Sequence, residues 1–393
     1  MPRITRASLV ITIWLALTLV HAASYGSQIG ETGRAGKGRD LLQSPTGIHA
    51  SDIDLYVADT GNHRIVLYDL DGKYLGQIGG KGGYRDINGN GEEDAFESGS
   101  GTDNEHFTNP RGVYATTDAI YVADTGNNRI MVYDMDHNFK FQIGNLTAGI
   151  EMNEFNGPSD VFADSSSIYV VDINNHRVNI FDLQGKYVKQ VGVTGTASDS
   201  DNTLNMPSGV GLGDFLYIAD SKNHRVTYYD EMLEYVGQLG KNEPGTGDLA
   251  LHSPRGVFVD DDRIYVADTR NNRIGVFFMS GDLDEHIGGP DASEESRLKA
   301  PSDVTVTSSR VYVVDSGNHR VVIFNLSTTV SYSTFFIILL LITGAIGGVV
   351  YKFQHELEEL IWPEPNTLDK YGPTADVIEE SEEMRQQMWD AQE

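Results

Sequence analysis

Between residues 86 and 97 the chain reads Asp-Ile-Asn-Gly-Asn-Gly-Glu-Glu-Asp-Ala-Phe-Glu, a spacing of oxygen donors that suits a hard cation. Counted as a twelve-residue loop, Asp86, Asn88, Asn90, Asp94 and Glu97 fill positions one, three, five, nine and twelve. Gly91 takes the sixth position, the Glu92 carbonyl falls at the seventh, and Glu97 can close the shell with both oxygens. That is the ligand grammar of a calcium loop. Two features depart from it: Glu93 stands where such loops carry an apolar residue, and the flanks from Gly79 and from Ser98 resemble linkers, not helices. A solvated Asp/Asn/Gly turn is the competing reading; the filled positions favour calcium.

Histidine offers less. His63, His176, His224 and His319 recur in one repeated phrase, so they occupy equivalent turns of separate units, too far apart to share an ion. The chain has no cysteine, which excludes disulfides, thiolate metal sites and a thiol nucleophile. It carries 57 Asp plus Glu against 29 Lys plus Arg, a formal charge of −28. Binding a nucleic-acid backbone needs a basic footprint, so that class is set aside.

The elements that must position these residues come in six copies. The phrase Tyr-Val-Ala-Asp-Thr-Gly-Asn-His-Arg begins at Tyr56 and returns in variant form at Tyr121, Tyr169, Tyr217, Tyr265 and Tyr312. The spacings are 65, 48, 48, 48 and 47 residues. Such a period with alternating apolar residues predicts β-propeller blades of four strands each. The excess in the first spacing is the insertion that holds the cation grammar. Before each phrase an [Phe/Leu]-x-x-Pro signal is expected to start the innermost strand, at Pro45, Pro110, Pro158, Pro207, Pro254 and Pro301.

The six-fold phrase resembles the NHL repeat, whose Asn-His-Leu triplet here reads Asn-[His/Asn]-Arg. The resemblance covers roughly residues 24–326 and implies an all-β, six-bladed propeller. Asp, Asn and Arg recur at fixed offsets (Asp59, Asn62 and Arg64 in the first unit) and are expected to be structural, as a charge-assisted pair across a hairpin. Five units end in an outer strand such as Tyr74–Gly79, while the sixth lacks one. Tyr25-Gly-Ser-Gln-Ile-Gly30 supplies the match, so the N-terminal strand should close the last blade and cover its open edge.

Function in propellers gathers at the channel mouth. The residues after the prolines should ring it: Arg111 and Arg255 in blades two and five, Asp160 and Asp303 in blades three and six. This two-fold alternation can seat a polar ligand or form a mutually neutralising rim. Similar propellers include peptidylhydroxyglycine lyase, which implies channel histidines on zinc, and lactonases, which imply calcium on channel carboxylates. Here the inner strands offer His49 alone, where catalytic zinc needs about three ligands, and two aspartates. A recognition or scaffolding module is therefore the primary expectation, no catalytic residue is assigned, and a lyase- or lactonase-type enzyme is the alternative.

The ends complete the expected organisation. Residues 1–23 read as a signal peptide, with Arg3 and Arg6 before an apolar run and small residues near Ala22. Residues 331–351 are uncharged and long enough to span a bilayer, with Gly344 and Gly348 spaced for a helix pair and hence a homodimer. The propeller, 24–326 with its 80–106 insertion, is then extracellular, and the acidic tail 352–393 cytosolic. An extracellular protein or small polar ligand is the expected partner. Asn145 and Asn325 head glycosylation sequons.

Overall fold

The computed structural model describes residues 19–38, 41–79 and 99–330. The cation-loop candidates Asp86, Asn88, Asn90, Glu92, Asp94 and Glu97 lie outside them, as do most of the expected signal peptide, the span 331–351 with Gly344 and Gly348, and the tail. Among the described residues no helix is long and apolar enough to cross a membrane.

Six four-stranded antiparallel sheets make a propeller, and the unit that carries it runs from His21 to Ser327. In blade one the order from the axis outward is Ile48–Ala50, Asp54–Asp59, Arg64–Asp69 and Tyr74–Ile78. The side-chain period of two sends alternate residues of each strand to opposite faces. Leu55 and Val57 therefore pack towards blade six, and Tyr56 and Ala58 towards blade two. One such cluster fills each interface between neighbouring blades.

The prolines behave less uniformly than expected. Pro158 and Pro207 begin their inner strands, whereas the other four inner strands begin two or three residues later, as at Ile48 and Val113.

The sixth blade is Asp303–Thr307, Arg310–Asp315, Arg320–Val330 and, outermost, Leu19–Ile29. The closing strand thus starts earlier than Tyr25 because its partner also continues, past Asn325 to Val330. Gln28 makes the match chemical. Its Oε1 accepts from Arg320 Nη1 at 2.6 Å, and its Nε2 donates to the Gly30 carbonyl at 3.0 Å. Gln77 does the same in blade one, with Arg64 Nη1 at 3.1 Å and the Gly79 carbonyl at 3.0 Å.

The repeated triad is a buried knot. Arg64 Nε donates to Asp59 Oδ2 at 2.8 Å, and Asn62 Nδ2 to the same oxygen at 2.7 Å. The other carboxylate oxygen, Oδ1, accepts from the Gln43 backbone N–H at 2.7 Å. Arg64 also reaches the carbonyls of Gly38 and Leu41. The knot therefore ties the turn to the loop before the inner strand, besides bridging its own hairpin. The same Asp–Arg pair recurs in all six blades at 2.7–2.9 Å.

The [Phe/Leu]-x-x-Pro signal has a part for each residue. Leu42, Phe107, Phe155, Leu204, Leu251 and Leu298 are buried anchors. The next N–H goes to the triad carboxylate, as with Thr108 to Asp124 at 2.7 Å. The third residue adopts a left-handed φ, such as 50° at Asn109, and its N–H donates to His63 Nδ1 of the preceding blade at 3.0 Å. His176, His224 and His319 accept likewise from Met206, Ser253 and Ser44. Asn128 and Asn272 do so through Oδ1 in the remaining two blades. The turn histidines are blade-to-blade acceptors.

Candidate functional site at the channel mouth

The residues after the six prolines fall into two matching halves. Thr46, Arg111 and Ser159 in blades one to three correspond to Ser208, Arg255 and Ser302 in blades four to six. Thr46 Oγ1 donates to the Arg111 carbonyl at 3.0 Å, and Ser208 Oγ to the Arg255 carbonyl at 3.0 Å. Ser159 Oγ donates to the Ser208 carbonyl at 3.1 Å, and Ser302 Oγ to the Thr46 carbonyl at 2.7 Å. Rotation by three blades maps one half onto the other.

Asp160 and Asp303 belong to this pattern. Asp160 Oδ1 accepts from Val161 N at 2.9 Å and its Oδ2 from Val210 N of the next blade at 3.0 Å. Asp303 repeats this with Val304 N and Ile48 N, both at 2.9 Å. The carboxylates satisfy backbone groups at the inner edge, which a buried donor otherwise leaves at a cost. The preceding blade must leave room: a Cβ on Gly112 would lie 2.6 Å from Asp160 Cα, and one on Gly256 2.1 Å from Asp303 Oδ1. Burial pushes the Asp160 carboxyl up to about 7, more than its two N–H donors pull it down. Asp303 is raised by burial and then by Asp160, so the two carboxyls sense each other across the axis.

Arg111 and Arg255 are solvent-exposed residues. Burial lowers the pKa of each, and Arg111 and Arg270 lower that of Arg255 further. Among the described residues neither guanidinium has a hydrogen-bond or ion-pair partner. Among the described residues no ion pair joins these arginines to Asp160 or Asp303, whose oxygens accept from backbone N–H groups.

Deeper along the inner strands, His49 stacks on Tyr114 at 4.0 Å between ring centroids, and Tyr114 on Phe162 at 4.4 Å. The equivalent residues in the other half are Gly211, Phe258 and Thr305, so the symmetry of the mouth does not extend here. Burial lowers His49 to about 4, which keeps it neutral. Among the described residues no group of three metal-ligating side chains gathers.

A cavity of about 1000 Å³ opens between blades five and six, lined by Tyr25, Arg270, His286 and Asp291 among others. His286 replaces the glutamine of the other blades. Its Nε2 meets Arg273 Nη1 at 2.8 Å, and its buried Nδ1 has no partner among the described residues. Neither this replacement nor the backbone role of the turn histidines was read from the sequence. The six-fold alignment carries a signal for both, since position and residue type are fixed or broken in register.

Of the sequon residues, Asn145 is exposed on a blade connection, where its Nδ2 donates to Glu154 Oε1 at 3.1 Å. Asn325 lies within the strand that the closing strand covers, and a Cβ on Gly26 would come within 2.8 Å of its Nδ2.

The NHL repeat matches residues 107–133, 251–277 and 298–324, the second, fifth and sixth blades. No curated protein matches the chain. A Bacteroides thetaiotaomicron protein of unknown function is similar in structure, with TM-score 0.55 and 14% identity over 78% of this chain and 76% of that one. A Xanthomonas campestris gluconolactonase aligns with TM-score 0.50 and 13% identity over 78% of this chain and 100% of that one. Virginiamycin B lyase from Staphylococcus aureus aligns with TM-score 0.47 and 13% identity over 80% and 100%. At these identities the likeness is one of fold.

Proposed function

We propose that this six-bladed propeller of NHL repeats is a binding module whose channel mouth takes a polar, anionic ligand. The observation that supports it is the Arg111–Arg255 pair. Two like charges without partners at one opening are unfavourable in a chain with so many carboxylates to offer. An arriving oxyanion gains charge-assisted hydrogen bonds from both. In this reading the propeller stands outside a membrane, held by residues 331–351 after removal of residues 1–23, which leaves Ser24–Ile29 of the closing strand. In the same reading a calcium ion is held by Asp86, Asn88, Asn90, the Glu92 carbonyl, Asp94 and Glu97 of the insertion.

A thermal-shift panel of anionic, neutral and cationic compounds on the purified full chain tests the mouth. Anions should raise the melting temperature, and the Arg111→Ala/Arg255→Ala double variant should abolish the rise. Equal responses to neutral compounds would refute the reading. Calcium calorimetry on the same chain tests the insertion. No heat, or heat unchanged in Asp86→Ala/Glu97→Ala, would remove calcium from the account.

The second reading is an enzyme of the lactonase or lyase type, with Asp160 and Asp303 as the candidate pair. It draws on their burial at the channel mouth, which raises both carboxyls and brings Asp160 to about 7, a value suited to proton transfer near neutrality. Turnover of a lactone or a peptidylhydroxyglycine that Asp160→Ala abolishes would establish it.

A further inference from the structure

The mouth repeats itself after three blades, and that symmetry constrains what it can hold. Each half contributes one arginine, one hydroxyl donating to that arginine's carbonyl, and one aspartate fixed by two backbone N–H groups. Blades two and five are diametrically opposed in a ring of six, so Arg111 and Arg255 face each other across the axis. Neither has a counter-ion among the described residues, and the nearby carboxylate oxygens are committed to Val161, Val210, Val304 and Ile48.

A monoanion placed between the two guanidiniums neutralises only half the charge and leaves their repulsion in part. A dianion compensates both and can present an equivalent oxygen face to each. We propose that the mouth binds one dianionic oxyanion on its two-fold axis, bridged by Arg111 and Arg255. The proposal rests on the mouth being an anion site. The bridging chemistry is common to a two-headed dicarboxylate and to a single phosphate group. Arg270, exposed and close enough to influence Arg255, adds charge on one side and departs from the symmetry, since Gly126 holds the equivalent place in blade two.

Calorimetry on the purified full chain, at fixed ionic strength, would compare succinate, inorganic phosphate and acetate. At least one dianion should bind ten times or more tightly than acetate. Succinate as the tighter dianion assigns a two-headed ligand, and phosphate a single-centred one. Arg111→Ala and Arg255→Ala should each weaken that dianion at least tenfold, and within about threefold of each other, while melting temperatures stay at the parent value. Arg111→Lys and Arg255→Lys should fall between parent and alanine, since a lysine keeps the charge without the fork. Acetate binding as tightly as both dianions, with both arginines still required, would overturn the dianion and leave the anion site standing. Loss on substituting only one arginine would overturn the bridge. No binding of any of the three would overturn the bridge and the anion site together.

Discussion

His319, in the last turn of blade six, accepts a hydrogen bond at Nδ1 from the backbone N–H of Ser44, 275 residues earlier, at 3.0 Å. It is the sixth of six such links and the one that meets itself around the ring. The propeller is thus closed twice, by this turn and by the strand Leu19–Ile29 on the outer edge. Asn128 and Asn272 make the equivalent link with Oδ1. His319→Asn should therefore keep the parent melting temperature, and His319→Ala should lose about 1 kcal/mol, the net worth of one hydrogen bond. Deleting Ser24–Gly30 should cost much more, because it uncovers an edge and removes Gln28 from Arg320. Chemical denaturation of the three variants checks the order; a deletion as stable as the parent would refute strand closure.

The links also predict an acid limit. An imidazole that accepts at Nδ1 cannot be protonated there. Burial lowers His63 and His224 below 6.5, with Lys37 acting on the first and His252, Arg270 and Lys222 on the second, against Asp59, Asp124 and Asp268. In the window below 6.5 the unfolded chain binds more protons, so stability falls with pH. Asp160 and Asp303 act in the opposite sense. Their folded pKa values are raised, so their contribution is whole below about 3.8 and fades as pH rises, for Asp160 through about 7 and for Asp303 through its own raised value. Melting curves of the His63→Asn/His224→Asn variant should lose part of the acid slope only. Superimposable acid limbs would contradict the assignment.

Asn179 sits in the third strand of blade three, fully buried, with neither Nδ2 nor Oδ1 partnered among the described residues. Val66 and Val322 fill the same register in blades one and six. Asn179→Val should stabilise the chain by about 1–3 kcal/mol by removing an unsatisfied polar group. Denaturant titration reads this directly, and a destabilised variant would mean that Asn179 has a partner in solution.

Six copies of one phrase made the fold legible, because each copy checks the strand order of the others. The closing strand was legible for the same reason: Gln28-Ile29-Gly30 repeats Gln77-Ile78-Gly79. The rim positions could also be read, since proline fixes the register of each inner strand and so the place of Arg111, Asp160, Arg255 and Asp303. What the sequence could not convey was engagement. Whether Asp160 neutralises an arginine or caps Val210 depends on how closely two inner strands approach, and that distance is set by packing between blades. The turn histidines show the same limit. Their equivalence excluded a shared metal, but their acceptor role required a left-handed residue before the next proline, which no residue type signals.

The account distinguishes two kinds of arginine, and comparing them tests its central claim most directly. Arg225 is buried in its knot with Asp220 at 2.8 Å, whereas Arg255 stands exposed at the mouth, unpaired among the described residues. The measurement is the melting temperature and dianion affinity of Arg225→Ala and Arg255→Ala, side by side on the full chain. Arg225→Ala should lose about 3–5 kcal/mol of stability, because it strands a buried carboxylate. Arg255→Ala should melt with the parent, or slightly above it as repulsion from Arg111 is relieved, and lose at least tenfold in dianion affinity. An Arg255→Ala chain that melts as early as Arg225→Ala, or binds the dianion as the parent does, would contradict the claim that the mouth is built for an anion.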